Sequence, residues 1–404
     1  MCSLHHIDLG LASFKRWPTN DKQKLVVKAF EHAWNGYKQH AWGHDNLRPV
    51  SGGTYDWFSL GLTIVDSLDT AYIMGLNQVF EDGKEWVRKE LVFTKDKDVN
   101  FFEVTIRVLG ALLTNYHLNR DEMFLKKAED LGDRLMAAFT SPSGIPYSDV
   151  NLGTKIAHAP EWSHYSSTAE VTTIQLEFRE LSRASKNPVY ENAAASVSEK
   201  IHILPKKNGL VPIYINPISG KFLPHATITL GIFNPKMDHL TCFLPGTLAL
   251  GYANGLPDWH MKMAEELLYT CYLTYTVHIT KLAPEITHFN LDMYTKSADA
   301  HSLLRPEFVE SLWYMYQLTG NTTYQDWGWQ IFQSFEKYAK TEYGYSSLDN
   351  VRSEQPPKRD MMESFFLSET LKYLYLLFSE NRFLIDLKEF VITTEAHPLP
   401  IHNA

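Results

Sequence analysis

Hydrophobic positions recur with helical spacing along most of the chain, and segments of alternating polarity are few. Over residues 21–42, Val26, Phe30, Ala33 and Tyr37 fall on one face of a predicted helix. Over 257–275, Ala264, Leu267, Leu268, Cys271 and Tyr275 do the same. The stretch 361–379 is instead apolar nearly all round, the pattern of a helix covered on every side. A recurring junction joins these two kinds of helix: an apolar helix ends, a short polar turn follows, and an aromatic residue opens the next helix. It occurs from Met74 to Phe80, Leu118 to Phe124, Ala184 to Tyr190 and Leu318 to Tyr324. Repeated αα-hairpins predict an all-α fold, and the strongly buried partner helices favour a closed double ring over an open solenoid. No Pro/Gly/Ser-rich linker divides the chain, so a single domain over 1–404 is expected, with 1–20 outside its core.

Several acids interrupt the most apolar helices. Glu103 stands among Phe101, Phe102, Val104 and Ile106; Glu307 and Glu310 open RPEFVESLWYMY on one face; Glu363 lies in MMESFF; Glu170 opens AEVTTIQLEF; Asp66 and Asp69 share a face. A buried carboxylate is costly unless paired or hydrogen-bonded. Each has a structural explanation when taken alone: Glu103 and Arg107 suit an i, i+4 ion pair, and Glu307 suits a helix N-terminus behind Pro306. As a set, acids at the starts of inner helices would converge at one end of a ring. Such a cavity fits carbohydrate chemistry or a hard cation.

Composition narrows the partners. The net charge of -9 includes no long run of either sign, which predicts neither a nucleic-acid nor an anionic-membrane partner. No stretch approaches the length of a transmembrane helix, and the first residues do not resemble a signal peptide, which taken alone reads as cytosol. Three cysteines exclude a disulfide-rich scaffold and a cysteine-based zinc cluster, and Cys242 and Cys271 in apolar helical stretches read as buried thiols. Asn321-Thr322-Thr323 is an N-glycosylation sequon, a sign of the secretory route.

At LGLTIVDSLDTAYIMGL, VNFFEVTIRVLGALL, GLVPIYIN, KMDHLTCFLPGTLALG, LAPEI, LLRPEFVESL, DWGWQIFQSFEKY, MESFFLSETLKYLYLLFS and TTEAHPLPI the chain resembles glycoside hydrolase family 47, the class I α-mannosidases, and within it the endoplasmic-reticulum type. The matches run in order from about Trp42 to Ile401. The resemblance implies an (αα)7 double-ring barrel plugged by a C-terminal β-hairpin. It also implies calcium-dependent, inverting hydrolysis of terminal α-1,2-linked mannose from high-mannose N-glycans of glycoproteins, in the endoplasmic reticulum or Golgi lumen. By the same resemblance Glu103 is the general acid and Glu307 the general base, with Glu285 counted beside them. Arg107, Glu170, His239, Arg305, Glu310, Glu363 and Glu395 match substrate-binding positions. Thr394 matches the threonine that binds Ca2+, and Cys242 and Cys271 match a disulfide, against the thiol reading. Family members of this type carry an N-terminal membrane anchor; this chain opens shortly before the catalytic domain, so no membrane contact is expected from the chain itself.

The resemblance breaks after ATITLG. Where the family continues through a helix hairpin bearing a third acid, an aspartate, and an arginine tied to choice of glycan branch, Gly231 runs through Ile232 and Phe233 almost directly into KMDHL. One hairpin is therefore expected to be missing. The alternative function is that of an impaired homologue that binds high-mannose glycans like a lectin.

Overall fold

The structure is a computed structural model that describes residues 17–161, 163–223, 235–289, 293–294 and 297–402. Its helices in chain order are α1 (Asp21–His40), α2 (Leu62–Ile73), α3 (Asn77–Lys89), α4 (Phe101–Val104), α5 (Gly110–Asn119), α6 (Glu122–Leu135), α7 (Thr168–Thr172), α8 (Gln175–Ser185), α9 (Val189–Ile203), α10 (Leu244–Ala253), α11 (Trp259–Thr276), α12 (Glu307–Thr319), α13 (Thr323–Ser334) and α14 (Leu371–Leu377). A π-helical turn, Thr105–Leu109, fuses α4 to α5, and another, Phe366–Thr370, leads into α14.

The helices pack as two rings. Among the described residues the pairs α2/α3, α5/α6, α8/α9, α10/α11, α12/α13 and α14/α1 each set an inner helix against an outer one. The first member is inner because it is buried on more sides: in α2 every residue but Tyr72 is buried, whereas α3 buries only Phe80, Gly83 and Val87. The four aromatic-opened junctions of the sequence are the turns from inner to outer helix in four of these pairs. The helix expected over 361–379 starts later, because Met362 bridges to Leu47 as extended chain before the π-helical turn begins. Among the described residues five small antiparallel sheets decorate the rings, built from strands of two to four residues that are too short to show an alternating pattern. One of them, Phe390–Ile392 paired with Pro398–Pro400, is the expected C-terminal β-hairpin, and its second strand packs on α5 inside the barrel.

The inner ring is well joined from α8 through α5, α2, α14 and α12 to α10, but α8 and α10 share no comparable interface. The Gly231–Phe233 junction lies outside the described residues, yet its two flanks carry its consequence. Helix α10, LPGTLALGYA, has no charged side chain and still buries only Pro245, Gly246 and Ala249. Phe243 and Tyr252 stand 45% and 40% exposed on it or beside it. More than half of the large hydrophobic side chains exposed among the described residues lie between Ile203 and Ile279. An inner helix left bare on one side is what a ring with six hairpins in place of seven produces.

Candidate active site

The candidate acids sit at the starts of inner helices because local capping puts them there. Asn100 caps α4 by accepting from the Glu103 amide at 2.9 Å, and Ser167 caps α7 by accepting from the Glu170 amide at 3.4 Å. Glu307 is the first residue of α12, directly after Pro306, and Glu310 completes its first turn. His239 opens the 3₁₀ turn His239–Phe243 that runs into α10, and Glu363 lies just before the π-helical turn Phe366–Thr370 that leads into α14. Helix N-termini favour negative charge, so all these groups gather at one end of the ring on ends already suited to them.

Two arginines organise the gathering. On one side Arg107, one turn after Glu103, donates to it at 2.9 Å, donates also to Glu395, and lies 3.7 Å from Asp66. Asn100 reaches Glu170 at 3.4 Å, joining that acid to the same side. On the other side Arg305 donates to both oxygens of Glu285, at 2.9 and 2.7 Å, and lies 3.6 Å from Glu307. The two guanidinium groups are each 5.7 Å from the centroid of the Phe365 ring, which spans the two halves. Around these two arginines and the ring they share lie Glu103, Glu170, Glu285, Glu307 and Glu395, brought together from across the sequence.

Burial works against ionisation of Glu307, but the hydrogen bond from His239, the charge that ring carries when protonated, and Arg305 outweigh it and hold the carboxyl below its ordinary range. Glu363 and Glu170 go the other way, raised chiefly by burial, as does Glu310, pushed up to about 8 by burial and by Glu307 beside it. Glu369 and Glu395 are raised well above the usual range by burial and by neighbouring acids. The site thus lowers the Glu307 carboxyl and raises several beside it, the kind of separation that acid–base catalysis uses.

The floor is the turn of the C-terminal β-hairpin. Thr393, Glu395, Ala396 and His397 are buried there, whereas Thr394 at the tip is exposed. Beneath it lies a network the sequence reading did not assemble. Lys372, the second residue of α14, is 1% exposed; it donates to Asp69 at 2.6 Å and to the Ala396 carbonyl at 2.8 Å. His397 lies 3.1 Å from Asp69 and 3.3 Å from Asp66, and both acids are buried. Asp66 and Asp69 had a visible signal, a shared face on an apolar helix. Lys372 had one too, as the lone cation in KYLYLL, but its partner is 303 residues away in sequence. Tyr275 read as a core aromatic, and its ring is 4% exposed; its hydroxyl nevertheless lies 2.7 Å from His239. Cys242 and Cys271 are joined as a disulfide with α-carbons 6.0 Å apart, so the buried-thiol reading is corrected. Cys242 lies in the 3₁₀ turn rather than in a helix, so the bridge ties the start of α10 to α11.

A family model described as Glycosyl hydrolase family 47 matches residues 29–234 and 229–401. The chain belongs to this family. Its match divides at 229–234. The endoplasmic reticulum mannosyl-oligosaccharide 1,2-alpha-mannosidase of Homo sapiens is 49% identical over 449 aligned positions, covering 95% of this chain and 64% of that protein. Since 95% of 404 residues is about 384, about 65 of those positions have no counterpart here, a length that suits one helix hairpin with its connections. A mannosyl-oligosaccharide 1,2-alpha-mannosidase of Arabidopsis thaliana is 40% identical over 95% of this chain and 79% of its own length. The solved alpha-1,2-mannosidase from Trichoderma reesei superposes with a TM-score of 0.85 at 25% identity, covering 94% of this chain and 99% of that one. The family assignment and the disulfide replace the cytosolic reading of composition with a secretory one. Among the described residues no helix is long and apolar enough to cross a membrane.

Proposed function

We propose that this chain is a glycoside hydrolase that removes terminal α-1,2-linked mannose from high-mannose N-glycans of glycoproteins, with inversion, in the lumen of the endoplasmic reticulum. One observation carries the reading. Glu103 is paired with Arg107, Glu307 lies beside Arg305, the two arginines meet at the Phe365 ring, and the Glu307 carboxyl is held below its ordinary range. Inversion needs one carboxyl to protonate the leaving oxygen and another, roughly 6.5–9.5 Å away, to activate water on the far face of the sugar. Glu103, the more open of the two, takes the acid role and Glu307 the base role. Arg305 keeps Glu285 and Glu307 in place, while Glu310, pushed up to about 8, offers a carboxyl that can donate to a sugar hydroxyl as well as accept from one. Trimming of this kind serves glycoprotein quality control.

The charge balance of the site suits a calcium ion held near it. Glu103, Glu307, Glu310, Glu363, Glu369 and Glu395 share only two guanidinium groups, and several are driven to hold protons by one another, a surplus of negative charge that a divalent cation would relieve. Among the described residues no three His, Cys, Asp or Glu side chains are grouped to hold an ion. Thr394 at the hairpin tip would hold the cation through its oxygens, with water and sugar hydroxyls completing the shell. When bound, the ion would fix ring hydroxyls of the scissile mannose. Thr394→Ala is expected to weaken Ca2+ binding about tenfold or more and to cancel the rise in Tm that added Ca2+ gives the parent. Calorimetric titration of both proteins checks this; equal affinities would remove Thr394 from the metal site.

A second reading, glycan binding with little turnover, is favoured by the unjoined α8–α10 seam. Incubating the purified chain with α-1,2-, α-1,3- and α-1,6-linked mannobiosides separates the two. Release from the α-1,2 isomer alone supports the hydrolase. Binding of high-mannose glycan without release from any isomer supports the lectin.

A further inference from the structure

Glu307 accepts a hydrogen bond from His239 Nδ1 at 2.8 Å, and on the other side of the imidazole Nε2 lies 2.7 Å from the Tyr275 hydroxyl. His239 is 6% exposed and Tyr275 4%. The ring has little freedom to turn. Its backbone amide donates to the Glu285 carbonyl at 2.8 Å, and Tyr275 packs on Phe308, the residue after Glu307, with ring centroids 4.9 Å apart. The Cys242–Cys271 bridge lies three residues after His239 and one helical turn before Tyr275, fastening the two elements together.

Counting protons decides the state of the ring. A neutral imidazole donates from one nitrogen and accepts at the other, an imidazolium donates from both, and a phenol has a single proton to give. Among the described residues the Tyr275 hydroxyl has one hydrogen-bond partner, His239 Nε2. Were Nε2 protonated, it would donate to the phenol oxygen and leave the phenol proton buried without an acceptor, an expensive arrangement. With Nε2 bare, the phenol proton is satisfied and the one ring proton falls on Nδ1, pointing at Glu307. Burial, with Glu307 and Glu285 nearby, pushes the phenol well above its ordinary range, so it remains a donor. The other ionisable groups facing this chain do not demand a cationic ring. Arg305 and Glu285 neutralise each other, and Glu310 and Glu369 are raised toward their protonated forms.

We infer that Tyr275 is a positioning residue that fixes His239 as the neutral, Nδ1-protonated tautomer facing Glu307. The inference rests on the hydrolase reading for its consequence. A neutral donor still favours the carboxylate through its hydrogen bond, beside Arg305, and leaves it ready to take a proton from water, whereas the added charge of an imidazolium would tie it in an ion pair and weaken it as a base.

The test is Tyr275→Phe, which removes one oxygen and keeps the ring on Phe308. With His239 assigned by a His239→Asn control, nitrogen NMR of histidine-labelled parent protein should show Nε2 bare and Nδ1 protonated near neutral pH. In Tyr275→Phe, Nε2 should gain a proton at the same pH. On an α-1,2-mannobioside kcat should fall about tenfold at the acidic end of the range, with KM within about twofold. The loss should shrink as pH rises and the extra proton leaves, moving the acidic limb of the profile upward. A ring already protonated on Nε2 in the parent would overturn the inference, and that measurement needs neither the variant nor turnover. A uniform loss with an unmoved limb would overturn it as well. Absence of turnover in the parent would instead count against the hydrolase reading and leave the NMR result to decide the role of Tyr275.

Discussion

Inserting the human relative's unmatched segment between Gly231 and Asn234 should raise turnover of an α-1,2-linked mannose substrate by about 10²-fold or more over the chain as it stands. Two effects act together. By family resemblance the segment brings a further acid, and one positioned proton-transfer group is worth typically about 10²–10⁴-fold. It also closes the seam between α8 and α10, shielding the pocket and stiffening the 3₁₀ turn that carries His239; misplacement by about 1 Å costs roughly 10²-fold. Covering α10 should lower binding of a hydrophobic dye as well, since exposed apolar surface is concentrated on that flank. The check is a side-by-side rate assay of both proteins after circular dichroism shows them folded. Equal rates would mean that the segment contributes nothing to catalysis and that the remaining carboxylates suffice.

Glu103→Gln and Glu307→Gln, made in the hairpin-restored chain so that the parent rate is easily measured, are each expected to lower kcat by about 10²–10⁴-fold with little change in KM. Glutamine keeps the shape and can still hydrogen-bond Arg107 or His239, but it can neither deliver nor take up the proton. The double variant should be little worse than the poorer single one, because the two groups act in one step. An inactive Glu307→Gln that still binds glycan would fit the scheme, whereas a variant with parental kcat would remove Glu307 from the base role.

Much of this architecture was legible in the sequence, for physical reasons that differ from part to part. Helices and their inner or outer placement follow from periodicity, which needs only local information, so α1, α11 and the four inner-to-outer turns came out at their residues. The acids were visible because a carboxylate in VNFFEVTIRVLGALL or MESFF contradicts its surroundings. Their convergence needed the ring. What stayed hidden was pairing across the fold. Lys372 and Asp69 meet only because α14 and α2 are neighbours in the inner ring, and His397 reaches both aspartates only because the C-terminal hairpin enters the barrel. Tyr275 was hidden for another reason: an aromatic on an apolar helix face looks like packing, and the ring does pack while its hydroxyl faces the site. The disulfide came only with the family resemblance, since two cysteines in apolar helical stretches read equally well as thiols.

The proposed roles of Glu103 as acid and Glu307 as base imply one stereochemical outcome, inversion, and proton NMR of the first mannose released tests it. With enzyme in excess over an α-1,2-mannobioside, spectra collected before mutarotation should show β-mannose first, because water activated by Glu307 enters from the face opposite the departing sugar. α-Mannose appearing first would contradict the scheme, since it requires a covalent intermediate and two carboxyls only about 5–5.5 Å apart.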